Sequence, residues 1–152
     1  MSMPTIFVSH GSPTLILDDV PARAFLASLG QQLPRPKAIV AVSAHWDTDM
    51  PAVSLARKPE TIHDFYGFPE PLYRLRYAAP GAPELAERVA KLTGAAHDLH
   101  RGLDHGAWVP AMLGWPAADI PISSSRCSPG RVPRITSRWD ASSLPCGRRA
   151  SW

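Results

Sequence analysis

Two runs of apolar and β-branched residues each end in a histidine, and a helix-length segment separates them. Thr5-Ile6-Phe7-Val8-Ser9 leads to His10, and Ala38-Ile39-Val40-Ala41-Val42-Ser43-Ala44 leads to His45. Both runs read as strands, and Gly11-Ser12-Pro13 turns the chain after the first. Between them, residues 22–33 carry a helical stripe of Phe25, Leu26 and Leu29, stopped by Pro34 and Pro36. This is a strand–helix–strand crossover, which favours two parallel strands. In an open parallel sheet the strand carboxyl ends face the ligand crevice. His10 and His45, delivered there together, could share one metal ion. The competing reading makes each histidine a turn or capping residue. Neutral imidazole suits Fe, Zn and Cu alike, so the pair alone does not choose a metal. A catalytic site also needs at least a third protein ligand.

Further along, residues 52–56 form a short strand candidate. Residues 59–83 form a long connection rich in proline and aromatics, a length more common in functional loops than in spacers. Its densest part is Thr61-Ile62-His63-Asp64-Phe65-Tyr66-Gly67-Phe68-Pro69. That stretch reads as a wall or lid for a flat apolar substrate, or equally as a loop anchoring itself on the core through its aromatics. Pro83-Glu84 opens a helix through Leu92, with Gly94 just past its end. Residues 104–114 are a second helix candidate with Trp108, Met112 and Trp115 on its apolar side, and residues 119–122 begin another strand. In Asp104-His105-Gly106, Asp104 reads as an N-cap. His105 reads as a surface residue of the first turn, although a helix N-terminus would favour its neutral form. Gly106 permits a close backbone approach. His97 and His100 are expected on a solvated strand edge or loop.

The net charge of +3 is unevenly distributed: residues 123–152 hold six Arg and one Asp, whereas residues 1–122 hold 10 Lys+Arg and 12 Asp+Glu. The body therefore gives no reason to expect nucleic acid or an anionic membrane as a partner. No transmembrane-length apolar run occurs and the start lacks a secretory pattern, so a cytoplasmic protein is expected. Both cysteines, Cys127 and Cys146, lie in the tail, leaving the body without a thiolate site. There is no glycine-rich phosphate loop, no GxSxG elbow and no CxxC pair.

Five stretches together resemble the LigB-type class III extradiol ring-cleaving dioxygenases, in particular their DOPA 4,5-dioxygenase branch. They are Phe7-Val8-Ser9-His10-Gly11-Ser12-Pro13, Ser43-Ala44-His45-Trp46, His63-Asp64-Phe65-Tyr66-Gly67-Phe68-Pro69, Ala79-Pro80-Gly81 and Gly102-Leu103-Asp104-His105-Gly106-Ala107-Trp108-Val109-Pro110. The resemblance implies an α/β fold with a parallel-dominated sheet and flanking helices. It also implies a mononuclear non-haem Fe(II), with Zn(II) sometimes in the same site, and catechol and O₂ as substrates. His10 and His45 match the family's first two metal ligands, and His105 matches a residue of its active-site region, here expected to be catalytic. Trp46, Phe65 and Tyr66 are the expected substrate-binding side chains. Oligomeric state is left open.

After Ile122 the family's pattern stops, and with it the family's third metal ligand and an acid–base histidine. Residues 123–152 hold eight serines and six arginines without a structural period, a composition that predicts an unstructured tail. The tail also reads as an out-of-frame product: GC-rich codons for residues 124–129, shifted in frame, give family-like text. The expectation is thus a partial catalytic domain over 1–122, weakly active or inactive. The alternative is a non-enzymatic fragment keeping a two-histidine metal site. A module gripping nucleic acid through its tail arginines is the weakest reading, since only Trp139 and Trp152 interleave with them.

Overall fold

The two histidine-tipped runs fare differently in the fold. A computed structural model describes residues 3–126. The second run forms β1 (Ile39–Val42). The first, residues 5–9, forms no strand. It supplies Val8 to the core, while Ile6 is 44% and Phe7 88% exposed. The expected parallel pairing of these two runs is therefore corrected. A strand needs a ladder partner, and β1 is an edge strand hydrogen-bonded to β4 (Ile122–Arg126) alone among the described residues.

The sheet has the order β1-β4-β2-β3, where β2 is Ala52–Ser54 and β3 is Ala96–Asp98. β1 runs parallel to β4, with Ile39 opposite Ile122 and Val42 opposite Ser125. β2 runs parallel to β3 and antiparallel to β4. The sheet is parallel-dominated, as expected, with one antiparallel pair at its centre.

β4 carries a second correction. It crosses the boundary expected after Ile122 and runs through Arg126, wholly buried. A serine triplet has weak strand propensity, but here tertiary context overrides it. Ser123 Oγ donates to the Ser54 carbonyl at 2.7 Å and Ser125 Oγ to that of Ala52 at 3.1 Å. Two of the three small side chains thus bury their hydroxyls with a partner, whereas the buried Ser124 Oγ has none among the described residues. The remainder of the expected unstructured tail, with Cys127 and Cys146, lies outside the described residues.

Four helices complete the layer. A 3₁₀ turn over Pro13–Ile16, capped by Ser12, leads to α1 (Pro21–Gln32). α1 buries Leu26 and Leu29, but Phe25 is 55% exposed, so the predicted stripe loses one member. α2 (Glu70–Arg74) is a single turn inside the proline-rich connection, with Pro71 near its start. α3 (Pro83–Thr93) begins at its proline and stops at Gly94, whose φ of 71° is a left-handed cap that glycine adopts without strain. α4 (His105–Gly114) is capped by Asp104. α1 and α4 pack together around Leu15, Leu26, Leu29, Trp108 and Val109, a core continuous with Ile122 of β4. α3 packs on β2 through Ala86, Ala90 and Val53. His97 lies on the exposed edge strand β3 and His100 on the loop after it, as expected.

Candidate metal centre

His45 lies three residues past the carboxyl end of β1, and α4 begins beside it. The join between them is built from Ser43, Asp104 and Gly106. Asp104 is fully buried. Its Oδ1 accepts from Ser43 Oγ at 2.6 Å and from the Ala107 amide at 3.2 Å, and its Oδ2 accepts from Arg101 at 3.0 Å. Ser43 Oγ in turn accepts the His45 amide at 3.2 Å. One carboxylate therefore caps the helix, neutralises a guanidinium and ties the strand end to the helix start. Gly106 fits against this join only because it lacks a side chain. A Cβ there would lie 2.7 Å from Ser43 Oγ and 2.9 Å from His45 Cδ2.

His105 is 6% exposed, not the surface residue expected of a first helical turn. The cause is the loop through Asp64, which covers the start of α4. Asp64 Oδ1 accepts both the His105 amide, at 3.0 Å, and its ring Nδ1–H, at 2.9 Å. Asp64 Oδ2 lies 4.0 Å from His45 Nδ1. Burial works against the Asp64 carboxylate, but the two His105 hydrogen bonds and the charge of that ring outweigh it and hold its pKa below the usual range.

His10 arrives from the N-terminal segment. Its Nε2 lies 2.9 Å from His45 Nε2. The His10 ring centroid is 4.8 Å from those of His45 and His105, which are 4.0 Å from each other. One ring nitrogen of each of His10, His45 and His105 lies within 4.8 Å of the others. Burial, then the neighbouring His105 and His45 charges, hold His10 below the ordinary histidine pKa, against the raising effects of the Gly11 backbone and Asp104.

The donor set fits a metal. Three imidazoles converge, and 2.9 Å is close to the separation of two cis donors about 2.1 Å from one ion. Asp64 on His105 is the carboxylate–histidine pairing that orients metal-bound imidazoles. His10 is the less finished member, since its buried Nδ1 has no hydrogen-bond partner among the described residues. Exposure rises from His105 through His10 to His45, so the cluster opens to solvent on the His45 side.

The expected substrate-binding aromatics separate. Phe65 and His105 meet in a T-shaped arrangement, with centroids 5.8 Å apart, and Phe65 also packs on Phe68, Tyr73 and Trp108. These contacts anchor its loop on the core and set its ring beside His105. Trp46 is 5% exposed and lies under Arg101, whose Cζ is 5.2 Å from the ring. Tyr66 is 92% exposed. Asp64 was within reach of sequence reasoning, because it stands beside the aromatic run, but nothing local signals that its partner is 41 residues away.

Convergent histidines at a strand end and a helix start define a candidate metal site on an α/β layer. Residues 4–134 match the family described as the catalytic LigB subunit of aromatic ring-opening dioxygenase, and the chain belongs to that family. The match continues past Ile122, in keeping with the longer β4. Among similar proteins, the 4,5-DOPA dioxygenase extradiol of Beta vulgaris is 48% identical over 127 residues, covering 78% of this chain and 47% of the relative. The protein of the same name from Escherichia coli K12 is 45% identical over 124 residues, covering 79% of this chain and 46% of the relative. A crystal structure of an uncharacterized Escherichia coli K12 protein superposes with a TM-score of 0.56 at 35% identity, covering 71% of this chain and 41% of that one. The chain spans about half the length of the curated relatives it matches. No helix among the described residues is long and apolar enough to cross a membrane.

Proposed function

We propose that this chain carries metal-site residues of an extradiol dioxygenase acting on catechols such as DOPA. The observation that carries the reading is the convergence of His10, His45 and His105 in a chain of the LigB family. His10 and His45 would hold the metal, Fe(II) for turnover with Zn(II) able to occupy the same place. The ion, when bound, supplies a redox centre with open positions for a catecholate and O₂.

The chain's own groups do the rest. The Asp64 carboxylate holds the Nδ1–H of His105, which leaves Nε2 as the nitrogen with a free lone pair. His105 Nε2 then accepts a proton from a catechol hydroxyl. Phe65 offers a flat apolar ring beside that imidazole, and its packing on Trp108 fixes its position. Gly106 keeps the helix start pressed against His45, so the two imidazoles hold their spacing.

The 4.0 Å ring spacing of His45 and His105 favours a second assignment for His105, as a third ligand. Zn(II) titration of His105→Ala separates the two roles: a base leaves the affinity almost unchanged, whereas a ligand does not.

With His10 and His45 alone as ligands, a 152-residue polypeptide is expected to bind the ion weakly and open the ring slowly. The test supplies purified protein with Fe(II), O₂ and L-DOPA and follows the yellow ring-opened product beside the Beta vulgaris relative. Slow, iron-dependent product that disappears in His10→Ala and His45→Ala is expected. Product that survives both substitutions would refute the reading.

A further inference from the structure

We propose that Asp64 is a positioning residue that fixes the ring tautomer of His105, an inference that rests on the metal-site reading above. A carboxylate can only accept. The 2.9 Å contact between Asp64 Oδ1 and His105 Nδ1 therefore places the ring proton on Nδ1. The same oxygen takes the His105 amide at 3.0 Å. That amide is one of the helix-start donors left without an intrahelical partner, and Asp104 is already engaged with Ala107. Asp64 thus grips His105 at two points, backbone and ring, so the ring can neither turn over nor slide along the helix axis without breaking a charge-assisted bond.

The consequence is chemical. With Nδ1 committed to donating, Nε2 is an acceptor whether His105 takes a proton from substrate or binds the ion. If the ring were free to flip or change tautomer, part of the population would present N–H instead of a lone pair. The Asp64 side chain is 22% exposed, so the contact is partly shielded from competing water. Its second oxygen lies 4.0 Å from His45 Nδ1, beyond hydrogen-bond reach. Asp64 therefore acts through His105.

The experiment uses metal-free, ¹⁵N-histidine-labelled full-length chain and long-range ¹H–¹⁵N correlation spectra, which report the protonated nitrogen of each ring. His105 of the wild type is expected as a single Nδ1–H form. Asp64→Ala should lose that form, giving Nε2–H or an exchanging mixture. Asp64→Asn, which keeps an acceptor oxygen at the same place, should restore it. A simple packing role would not produce this pattern, because both variants remove the charge and only one removes the acceptor. Wild-type His105 protonated at Nε2 would overturn the proposal, and so would an unchanged Nδ1–H form in Asp64→Ala. If Asp64→Ala fails to fold, the wild-type and Asp64→Asn spectra still decide: loss of the Nδ1–H form in Asp64→Asn refutes the role and retention supports it. Zn(II) titration of the same wild-type sample tests the metal reading separately, since failure to bind Zn(II) would sink that reading and leave the tautomer result standing.

Discussion

His45 and His105 reach the candidate site on a tied frame, whereas His10 reaches it on a segment without ladder hydrogen bonds. The first pair sits where β1 ends and α4 begins, joined by Ser43, Asp104, Arg101 and the absent side chain of Gly106. His105 is gripped again by Asp64. His10 follows residues 5–9, which leave Phe7 in solvent, and its Nδ1 has no partner among the described residues. The contrast teaches that part of the site is preorganised by the fold itself. The other part depends on one loosely anchored side chain, for which a bound ion would be the strongest tether.

Asp104→Ala should break the frame most severely. It removes a buried carboxylate, leaves Arg101 uncompensated and uncaps α4. Breaking a buried charge pair costs about 3–5 kcal/mol, read by denaturant unfolding. Gly106→Ala should follow. Alanine is intrinsically the better helix former by about 1 kcal/mol, yet its Cβ would press on Ser43 and His45. Overpacking of this kind costs about 1–3 kcal/mol, and Zn(II) affinity should fall with stability. A stabilised Gly106→Ala variant would show that the join is looser than described.

His10→Ala should separate the two regions. It should abolish metal binding yet leave unfolding at neutral pH close to wild type. At acid pH the sign is set by the lowered His10 pKa. The unfolded chain takes up its proton near 6.5 and the native state only at lower pH, so the unfolded state binds more protons in that window. His10 therefore carries no protonation cost above 6.5, and stability is lost as pH falls from there toward the native pKa. His10→Ala should accordingly flatten the fall in stability below pH 6.5, and an unaltered acid limb would place His10 outside the cluster. Phe7→Ser should do least, within about 0.5 kcal/mol, because the ring is already exposed.

Helix termini were the most legible part of the fold, since each is written locally: Pro83 at the start of α3, Gly94 at its end, Asp104 before α4. Residues 5–9 read as a strand because pairing is non-local and a β-branched run cannot announce that it lacks a partner. β4 was underestimated for the opposite reason, since the partners of Ser123 and Ser125 are the carbonyls of Ser54 and Ala52 on another strand. In the site, His10 and His45 were paired on the expectation of two strand ends, of which only the one before His45 exists, and the place of His105 came from the family pattern. The burial of His105 did not, because it depends on Asp64 folding over the helix start from a loop whose path no periodicity encodes.

Three histidines from three separate segments converge where one ion would sit. Anomalous diffraction from crystals of the chain grown with Zn(II) tests that most directly. A single zinc bonded by the Nε2 atoms of His10 and His45 at about 2.0–2.1 Å, with the His105 ring beside it and Asp64 still on Nδ1, is the predicted result. Zinc bound elsewhere, or His10 swung away while His45 and His105 keep their places, would contradict it.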